Sequence, residues 1–223
     1  MKNKDKIIEY FEKCPKGSVI VANDLYTSNF SKMSQGAFFK ALERLTKQGL
    51  LSRVAKGMYA WSGQIDNEDV LNHFFGEENL DGMYIGSKLY VKYGLTACKD
   101  DEIWLYSTIM DKETCNIGNI HAKKVHIPLT YDNTRIIEAL EIMQNYDEIP
   151  ELNKNKFARY AKQFSKNYND EAAVYVLNNM RYKKKTIAFM KKILDMYKIP
   201  NSLQNFLSCT SKYKVPPVLR VAR

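Results

Sequence analysis

Three cationic side chains in the N-terminal part of the chain recur at helical spacing. Lys40, Arg44 and Lys47 lie at i, i+4 and i+7, so on a helix their charges form one stripe. A row of ammonium and guanidinium groups suits phosphate oxygens, because each contact with a nucleic-acid backbone releases a condensed counterion. The spacing therefore predicts a phosphate-contacting helix face, to which Arg53 and Lys56 add positive charge a few residues later.

Other residue types on this face bear on what it contacts. Gln35 is the best candidate for adenine, whose edge pairs with a side-chain amide. Glu43 repels phosphate unless it accepts from a cytosine amine or pairs with Lys40 or Lys47. For Phe39, contact with a thymine methyl and packing against a second domain both stay open. The candidate nucleic-acid-binding residues are Ser34, Gln35, Phe39, Lys40, Arg44, Lys47, Arg53 and Lys56; the alternative is a charged face that is simply solvated.

The elements that must position this face follow a definite order. The patterns predict a helix over 5–13, an extended segment over 18–21, a short helix capped by Asn23 and Asp24, a loop over 27–33, a helix from Ser34 to Gly49, and strands over 50–54 and 58–61. Phe38, Ala41, Leu42 and Leu45 form the apolar side of the last helix. This order is that of a winged helix-turn-helix, in which a helix fits the major groove and the hairpin reaches a neighbouring phosphate or the minor groove.

The remainder of the chain predicts a second domain. After a linker at 62–64 we expect short helices over 68–75 and 87–94, strands over 103–109, 116–120 and 123–127, four helices with aromatic-rich faces, and an extended tail over 212–223. The fold class is therefore α+β. A winged helix-turn-helix domain occupies 1–63, and an α+β domain occupies 64–223, with strands at about 103–127 and helices at about 133–200.

The net charge of +9 is unevenly distributed along the chain. It is +6 over 1–65, −7 over 66–144 and +10 over 145–223, and two basic ends favour a polyanionic partner. A candidate second basic surface consists of Arg159, Lys162, Lys166, Arg181, Lys183, Lys184 and Lys185. The alternative is a solvated helix exterior and a loop; if this charge binds nucleic acid, backbone contact or binding of an RNA is expected rather than base reading.

Several kinds of catalytic or metal site are disfavoured. A Gly-rich phosphate loop, H-E-x-x-H, C-x-x-C and G-x-S-x-G are all absent from the sequence. The spacing of Cys98, Cys115, His121 and His126 does not fit zinc, and a Cys–His nucleophile pair lacks an orienting group. The acidic run 100–102 suits a solvated turn better than a Mg²⁺ site. We therefore expect no enzyme, no metal and no cofactor.

Composition indicates a cytoplasmic protein. The four cysteines, Cys14, Cys98, Cys115 and Cys209, form no close pair and are expected to be reduced thiols. The apolar runs are far shorter than the ~20 residues that cross a bilayer. The first residues mix lysine with acid and lack the apolar core of a secretory signal.

Residues of the first domain match the pattern of a known family. The run Ala41-Leu42-Glu43-Arg44-Leu45, followed by Gly49, Leu51, Arg53 and Gly57-Met58-Tyr59 and preceded by Lys16-Gly17, carries the match. Over 5–61 the chain resembles the N-terminal domain of AbiEi-type antitoxins of type IV toxin–antitoxin (abortive infection) systems. The segments 86–89, 93–96 and 103–108 resemble more loosely the start of that family's second domain, and beyond about Pro128 only the order of elements is similar.

This resemblance implies a transcriptional autorepressor and antitoxin. Such a protein binds repeats in its own promoter as double-stranded DNA and opposes a nucleotidyltransferase-like toxin without a stable direct complex. One alternative is an interaction protein or RNA-binding module that directly engages a toxin or its RNA target. A second is an enzyme that acts on nucleic acid with Mg²⁺.

Overall fold

The chain forms two compact units, which divide between His73 and Phe74. The computed structural model describes residues 3–15, 17–61, 65–76, 78–110 and 112–219. These residues form helices and two small sheets, which confirms the α+β class. The linker predicted at 62–64, with the domain boundary expected at residue 63, lies outside the described residues, and the observed division falls later, inside a helix.

The first unit has the element order of a winged helix-turn-helix. Its elements are α1 (Asn3–Lys13), β1 (Val19–Val21), α2 (Ala22–Leu25), a π-helix (Tyr26–Phe30), α3 (Gln35–Lys47), β2 (Leu51–Ala55), β3 (Met58–Trp61) and α4 (Asn67–Phe75), which crosses the division. The strands form an antiparallel sheet in the order β1-β3-β2. The hairpin β2–β3 is the wing, and α3 is the second helix of the helix-turn-helix.

An aromatic cluster centred on Phe38 holds α3 in place. Phe38 is fully buried. Its ring centroid lies 5.4 Å from those of Phe30, Tyr26 and Phe39. Aromatic pairs at this separation add specific attraction to the burial of their apolar area. The cluster therefore fixes the rotation of α3 against the preceding turn.

Two local predictions for the helix-turn-helix are wrong. The segment expected to be a loop over 27–33 begins with the π-helix, because the hydroxyls of Thr27 and Ser28 donate to the carbonyls of Asn23 and Asp24 four residues earlier and Phe30 is buried. Asn23 and Asp24 also do not cap α2. The N-cap residue of α2 is Val21, which makes no side-chain capping hydrogen bond. The amide of Ala22 donates to the carbonyl of Gly57 at 2.7 Å.

The second unit combines a mixed sheet with helices. Its elements are β4 (Gly82–Ile85), α5 (Gly86–Lys92), β5 (Ile103–Ser107), β6 (Thr114–Ile117), β7 (Ile120–Lys124), α6 (Tyr131–Gln144), a 3₁₀ turn (Tyr146–Glu148), α7 (Lys154–Lys166), α8 (Asp170–Asn179), α9 (Lys184–Met196) and a 3₁₀ turn (Leu203–Phe206). The sheet order is β4-β5-β7-β6, with β5 and β7 parallel and the other pairs antiparallel. The helices expected at about 133–200 are confirmed as α6 to α9.

The strand boundaries in this unit differ from the prediction. The sequence pattern places strands over 116–120 and 123–127, but the hairpin turns at Gly118, whose φ of 56° is in the left-handed region. Ile117 and Ile120 are paired across this turn and both are buried. Strand β4 was not predicted. The extended tail was predicted over 212–223. Residues 212–219 have no regular secondary structure, and Val215 and Val218 pack against the core. Residues 220–223 lie outside the described residues.

Helix α6 is the central element of the second unit. Every residue from Ile136 to Met143 is buried, because α5, α8, α9 and β4 surround the helix. This run includes two carboxylates, Glu138 and Glu141, which are only 3% and 6% exposed. A helix buried on all sides must therefore supply partners for both charges.

Among the described residues, none of the helices combines the length and the apolar character that crossing a membrane requires.

Truncation of Phe38 tests the role of the aromatic cluster. Phe38→Ala should lower the free energy of unfolding of the first unit by about 3–5 kcal/mol, the usual cost of removing a buried phenylalanine. Phe39→Ala is the matched control and should cost clearly less, because Phe39 is only partly buried. Urea unfolding followed by Trp61 fluorescence in a Trp104→Phe background reports on the first unit, since the chain has two tryptophans and the units hold one each. Equal losses for both variants would contradict the assigned rotation of α3.

Candidate nucleic-acid interface

The exposed face of α3 presents the predicted cations together. The helix begins after Ser34, whose hydroxyl accepts a hydrogen bond from the amide of Ala37 at 3.4 Å. Its opposite face, Phe38, Ala41, Leu42 and Leu45, is buried. Gln35, Lys40, Arg44 and Lys47 are all exposed. The structure therefore exposes four of the predicted binding residues: Lys40, Arg44 and Lys47 form one stripe, and Gln35 lies in the first turn, at a different position around the helix.

The acid within this stripe is paired with its neighbour. Lys47 Nζ lies 2.7 Å from Glu43 Oε1, with the two side chains 74% and 61% exposed. The hydrogen bond and charge of Lys47 hold the pKa of Glu43 below its ordinary value. Of the options open for Glu43, the structure shows pairing with Lys47. An exposed pair of this kind contributes little to stability, so a phosphate can compete for the ammonium group. In the part of the chain that the structure describes, Lys40 and Arg44 form no ion pair.

The wing is short and attached to the helix-turn-helix. Lys56 and Gly57 form its turn, with Gly57 at φ 79°. The Gly57 carbonyl accepts from the amide of Ala22, so the turn is tied to the start of α2. Arg53 is exposed on β2, and its Nε lies 3.4 Å from the carbonyl of Ala55 within the same hairpin. Arg53 and Lys56 therefore carry their charge on a rigid support immediately after α3.

Phe39 contributes to the core of the first unit. Its ring meets Phe38 edge-on, at an interplanar angle of 80°, and it packs with other partly buried residues against the cluster that includes Leu42. Only part of its surface is left for a ligand.

The candidate second basic surface falls into two regions at opposite ends of α6. Lys185 pairs with Asp147 at 3.2 Å, and the amide of Lys183 donates to the side chain of Gln144 at the end of α6. Arg159 instead lines a cleft with Arg135 from the start of α6. Along the helix axis, positions 135 and 144 are about 13 Å apart at 1.5 Å per residue. Arg181 and Lys184, both exposed, are sequence neighbours of Lys183 and Lys185 and fall in the first region. Lys162 and the exposed Lys166 follow Arg159 on α7 and fall in the second.

Sequence reasoning missed two cations of the cleft. Lys156 precedes Arg159 by three residues on α7, and this helical spacing is a signal that predicts a shared face. Arg135 lies on α6, distant in sequence, and no local pattern links it to α7.

The residues weighed for metal binding have other contacts. His121 contacts Asn116 and Glu102 through its two ring nitrogens and stacks on Trp104. His126 lies 3.1 Å from Glu113. Cys98 and Cys115 are free thiols. Within the described ranges, no group of three or more His, Cys, Asp or Glu residues is arranged to hold a metal ion.

The two buried carboxylates of α6 have separate partners. Glu138 accepts from Lys92 Nζ at 2.6 Å and from the Tyr93 hydroxyl at 2.5 Å. Glu141 accepts from the Tyr106 hydroxyl at 3.0 Å. Burial raises the pKa of Glu141, and the phenol groups of Tyr106 and Tyr182 oppose that rise only in part.

Comparison with known proteins adds little to this geometry. No protein-family model matches the chain, and no significantly similar curated protein is found. Among solved structures, the crystal structure of the RV2827C protein from Mycobacterium tuberculosis matches with a TM-score of 0.43 and 11% sequence identity, over 88% of this chain and 77% of that chain. A likeness at this score carries no argument about function.

The raised pKa of Glu141 predicts a pH-dependent stability difference. Above its folded-state pKa the buried carboxylate is charged and destabilises the second unit, whereas below its unfolded-state pKa it is protonated in both states and contributes nothing. Glu141→Gln should therefore gain stability relative to wild type as the pH rises from about 4 to 8. The full gain is roughly 1.4 kcal/mol for each pH unit by which folding raises the pKa of Glu141. Denaturant unfolding across this pH range measures the difference. Glu148→Gln, which removes an exposed carboxylate of the same unit, is the control; a Glu141→Gln profile no steeper than that of the control would contradict the assigned burial effect.

Proposed function

We propose that this chain is a cytoplasmic, DNA-binding transcriptional autorepressor and the antitoxin of a type IV toxin–antitoxin system. Its double-stranded DNA ligand is a set of repeats in its own promoter, and it counteracts a nucleotidyltransferase-like toxin without a stable complex. The proposal assigns no catalytic activity. The observation that carries the DNA-binding part is the exposed stripe Lys40, Arg44 and Lys47 on the second helix of a helix-turn-helix.

The dimensions of α3 suit a duplex groove. At 13 residues it is about 20 Å long, and a single helix fits a major groove about 12 Å wide. In this mode of docking the N-terminal residues of the recognition helix contact base edges. Gln35 occupies the first turn of α3 and is exposed, so it is the residue assigned to base reading, whereas the three cations further along the helix are assigned to phosphates.

The wing extends this basic surface. Arg53 and Lys56 lie on the hairpin that follows α3 directly. The second strand of this hairpin, β3, also pairs with β1. Because that support leaves the hairpin little freedom, less ordering free energy is lost when it contacts a phosphate.

The antitoxin part rests on the resemblance of 5–61, and more loosely of 86–108, to AbiEi-type antitoxins. If instead the chain is an interaction protein, it will co-purify with the product of the neighbouring gene and bind its promoter no better than unrelated DNA. A nuclease or nucleotidyl-transfer assay with Mg²⁺ tests the enzymatic alternative.

Removing cations from α3 should change the salt dependence of DNA binding. For each of Lys40→Gln and Lys47→Gln we expect weaker binding to all sequences alike and a slope of log affinity against log salt that is shallower by about 0.9. Glu43→Gln should strengthen binding, because it removes a carboxylate and releases Lys47. Fluorescence anisotropy over a salt series measures these slopes, and Lys192→Gln on α9 is the control. Unchanged slopes for both lysine variants would show that the assigned face is wrong.

Removing the amide of Gln35 should affect sequence preference instead of overall affinity. Gln35→Ala should lose about 1–3 kcal/mol of discrimination at one base pair of the operator, the worth of one good side-chain pair with a base. Competition binding against operators with single substitutions locates that position. The exposed Gln48, at the other end of α3, supplies the control Gln48→Ala. Equal preferences for wild type and Gln35→Ala would exclude Gln35 from base reading.

A further inference from the structure

A cleft of about 350 Å³ opens on the second unit. Helix α7 supplies one side of it, Arg135 from the first turns of α6 supplies another, and Tyr93 follows α5. Its lining consists of Tyr93, Arg135, Lys156, Arg159, Tyr160, Gln163 and Phe164. The volume is at the lower end of the range of about 300–1,000 Å³ for small-molecule pockets.

The charged groups of the lining are all cationic. Arg135, Lys156 and Arg159 line the cleft, and the lining contains no carboxylate. Lys156 and Arg159 form no ion pair with any residue that the structure describes. Arg135 is held in position by Tyr131: its Nη1 donates to the Tyr131 hydroxyl at 3.2 Å, and its guanidinium lies 5.3 Å from the centroid of that ring. Three positive groups thus line one concave space, an arrangement that suits a phosphate group.

The buried acid Glu138 has partners other than these cations. Glu138 lies one turn after Arg135 on α6, but it is 3% exposed and its two oxygens accept from Lys92 and from the Tyr93 hydroxyl. Its charge is therefore already compensated on the inner side of the cleft.

Aromatic rings form the apolar side of the cleft. The centroids of Tyr93 and Tyr160 are 4.6 Å apart, and Tyr160 stacks with Phe164 at an interplanar angle of 17°. Tyr160 and Phe164 are almost fully buried, so this wall is rigid. Tyr131, which contacts Arg135, is 75% exposed but is not part of the lining.

We propose that this cleft binds a single nucleotide. Arg135, Lys156 and Arg159 hold its phosphate, the base lies against the aromatic side of the cleft beside Tyr93, and the amide of Gln163 is available to a polar edge of the base. Aromatic side chains beside a base and cations beside its phosphate are the common means of holding one unit of a nucleic acid. A concave site of this size favours one nucleotide over a duplex, whose phosphates require cations spread along a surface.

The ligand has two sources with the same chemistry, a free nucleoside monophosphate and the 5′-phosphorylated end of an RNA strand. Isothermal titration of the full chain with AMP and GMP, with 5′-phosphorylated and 5′-hydroxyl tetranucleotide RNA, with adenosine and with inorganic phosphate separates them. At least one monophosphate or the 5′-phosphorylated RNA should bind tenfold or more tightly than adenosine and inorganic phosphate. Tighter binding of the RNA assigns the strand end, and tighter binding of the monophosphate assigns the free nucleotide.

Variants of α7 test the residues themselves. Arg159→Gln and Lys156→Gln should each weaken nucleotide binding at least tenfold, whereas Lys192→Gln, exposed on α9 and outside the cleft, should leave it unchanged. All three side chains are exposed, and circular dichroism verifies that each variant is folded.

Several results would overturn the proposal. These are binding of inorganic phosphate as tight as that of the nucleotide, equal losses for Lys192→Gln and Arg159→Gln, or no binding of any probe. Loss of duplex DNA binding by Arg159→Gln without nucleotide binding by the wild type would assign the cleft to a duplex and also reject it. None of these results bears on the α3 surface, which the salt series tests separately.

Discussion

The burial of Phe38 determines which side of α3 faces solvent. Successive residues of a helix are rotated by 100°, so once this ring is fixed against Phe30 and Tyr26, the remaining orientations follow. Leu42 and Leu45 turn inward, and the cationic stripe turns outward. The interface on the first unit therefore depends less on the charged residues themselves than on the apolar contacts behind them.

In the second unit the corresponding constraint is the need of two buried carboxylates for hydrogen-bond partners. Helix α6 carries Glu138 and Glu141 into the core, and a buried carboxylate is costly unless it is hydrogen-bonded. The Tyr93 and Tyr106 hydroxyls supply these bonds. Because Tyr93 is held from within by Glu138, its ring has a defined position on the wall of the cationic cleft.

The sequence predicted the first unit better than the second. Helix α3, its Ser34 cap and the wing could be predicted because each has a local signal, namely helical periodicity, a hydroxyl before the first turn and a glycine between two apolar strands. The capping of α2 could not, because its partner is the Gly57 carbonyl, distant in the chain. No local signal indicates that Glu138 and Glu141 are buried, since charge is usually solvated. The cleft joins α6, α7 and the residue after α5, so no single segment shows it.

The hydrogen bond between the amide of Ala22 and the carbonyl of Gly57 has an evolutionary consequence. It continues the pairing of β1 with β3 one residue past Val21 and Met58, so the sheet supplies the acceptor for the first amide of α2. A capping side chain at position 21 would accept from the second or third amide of the helix and could not replace this acceptor. Homologues that keep this helix start should therefore also keep the length of the hairpin arm.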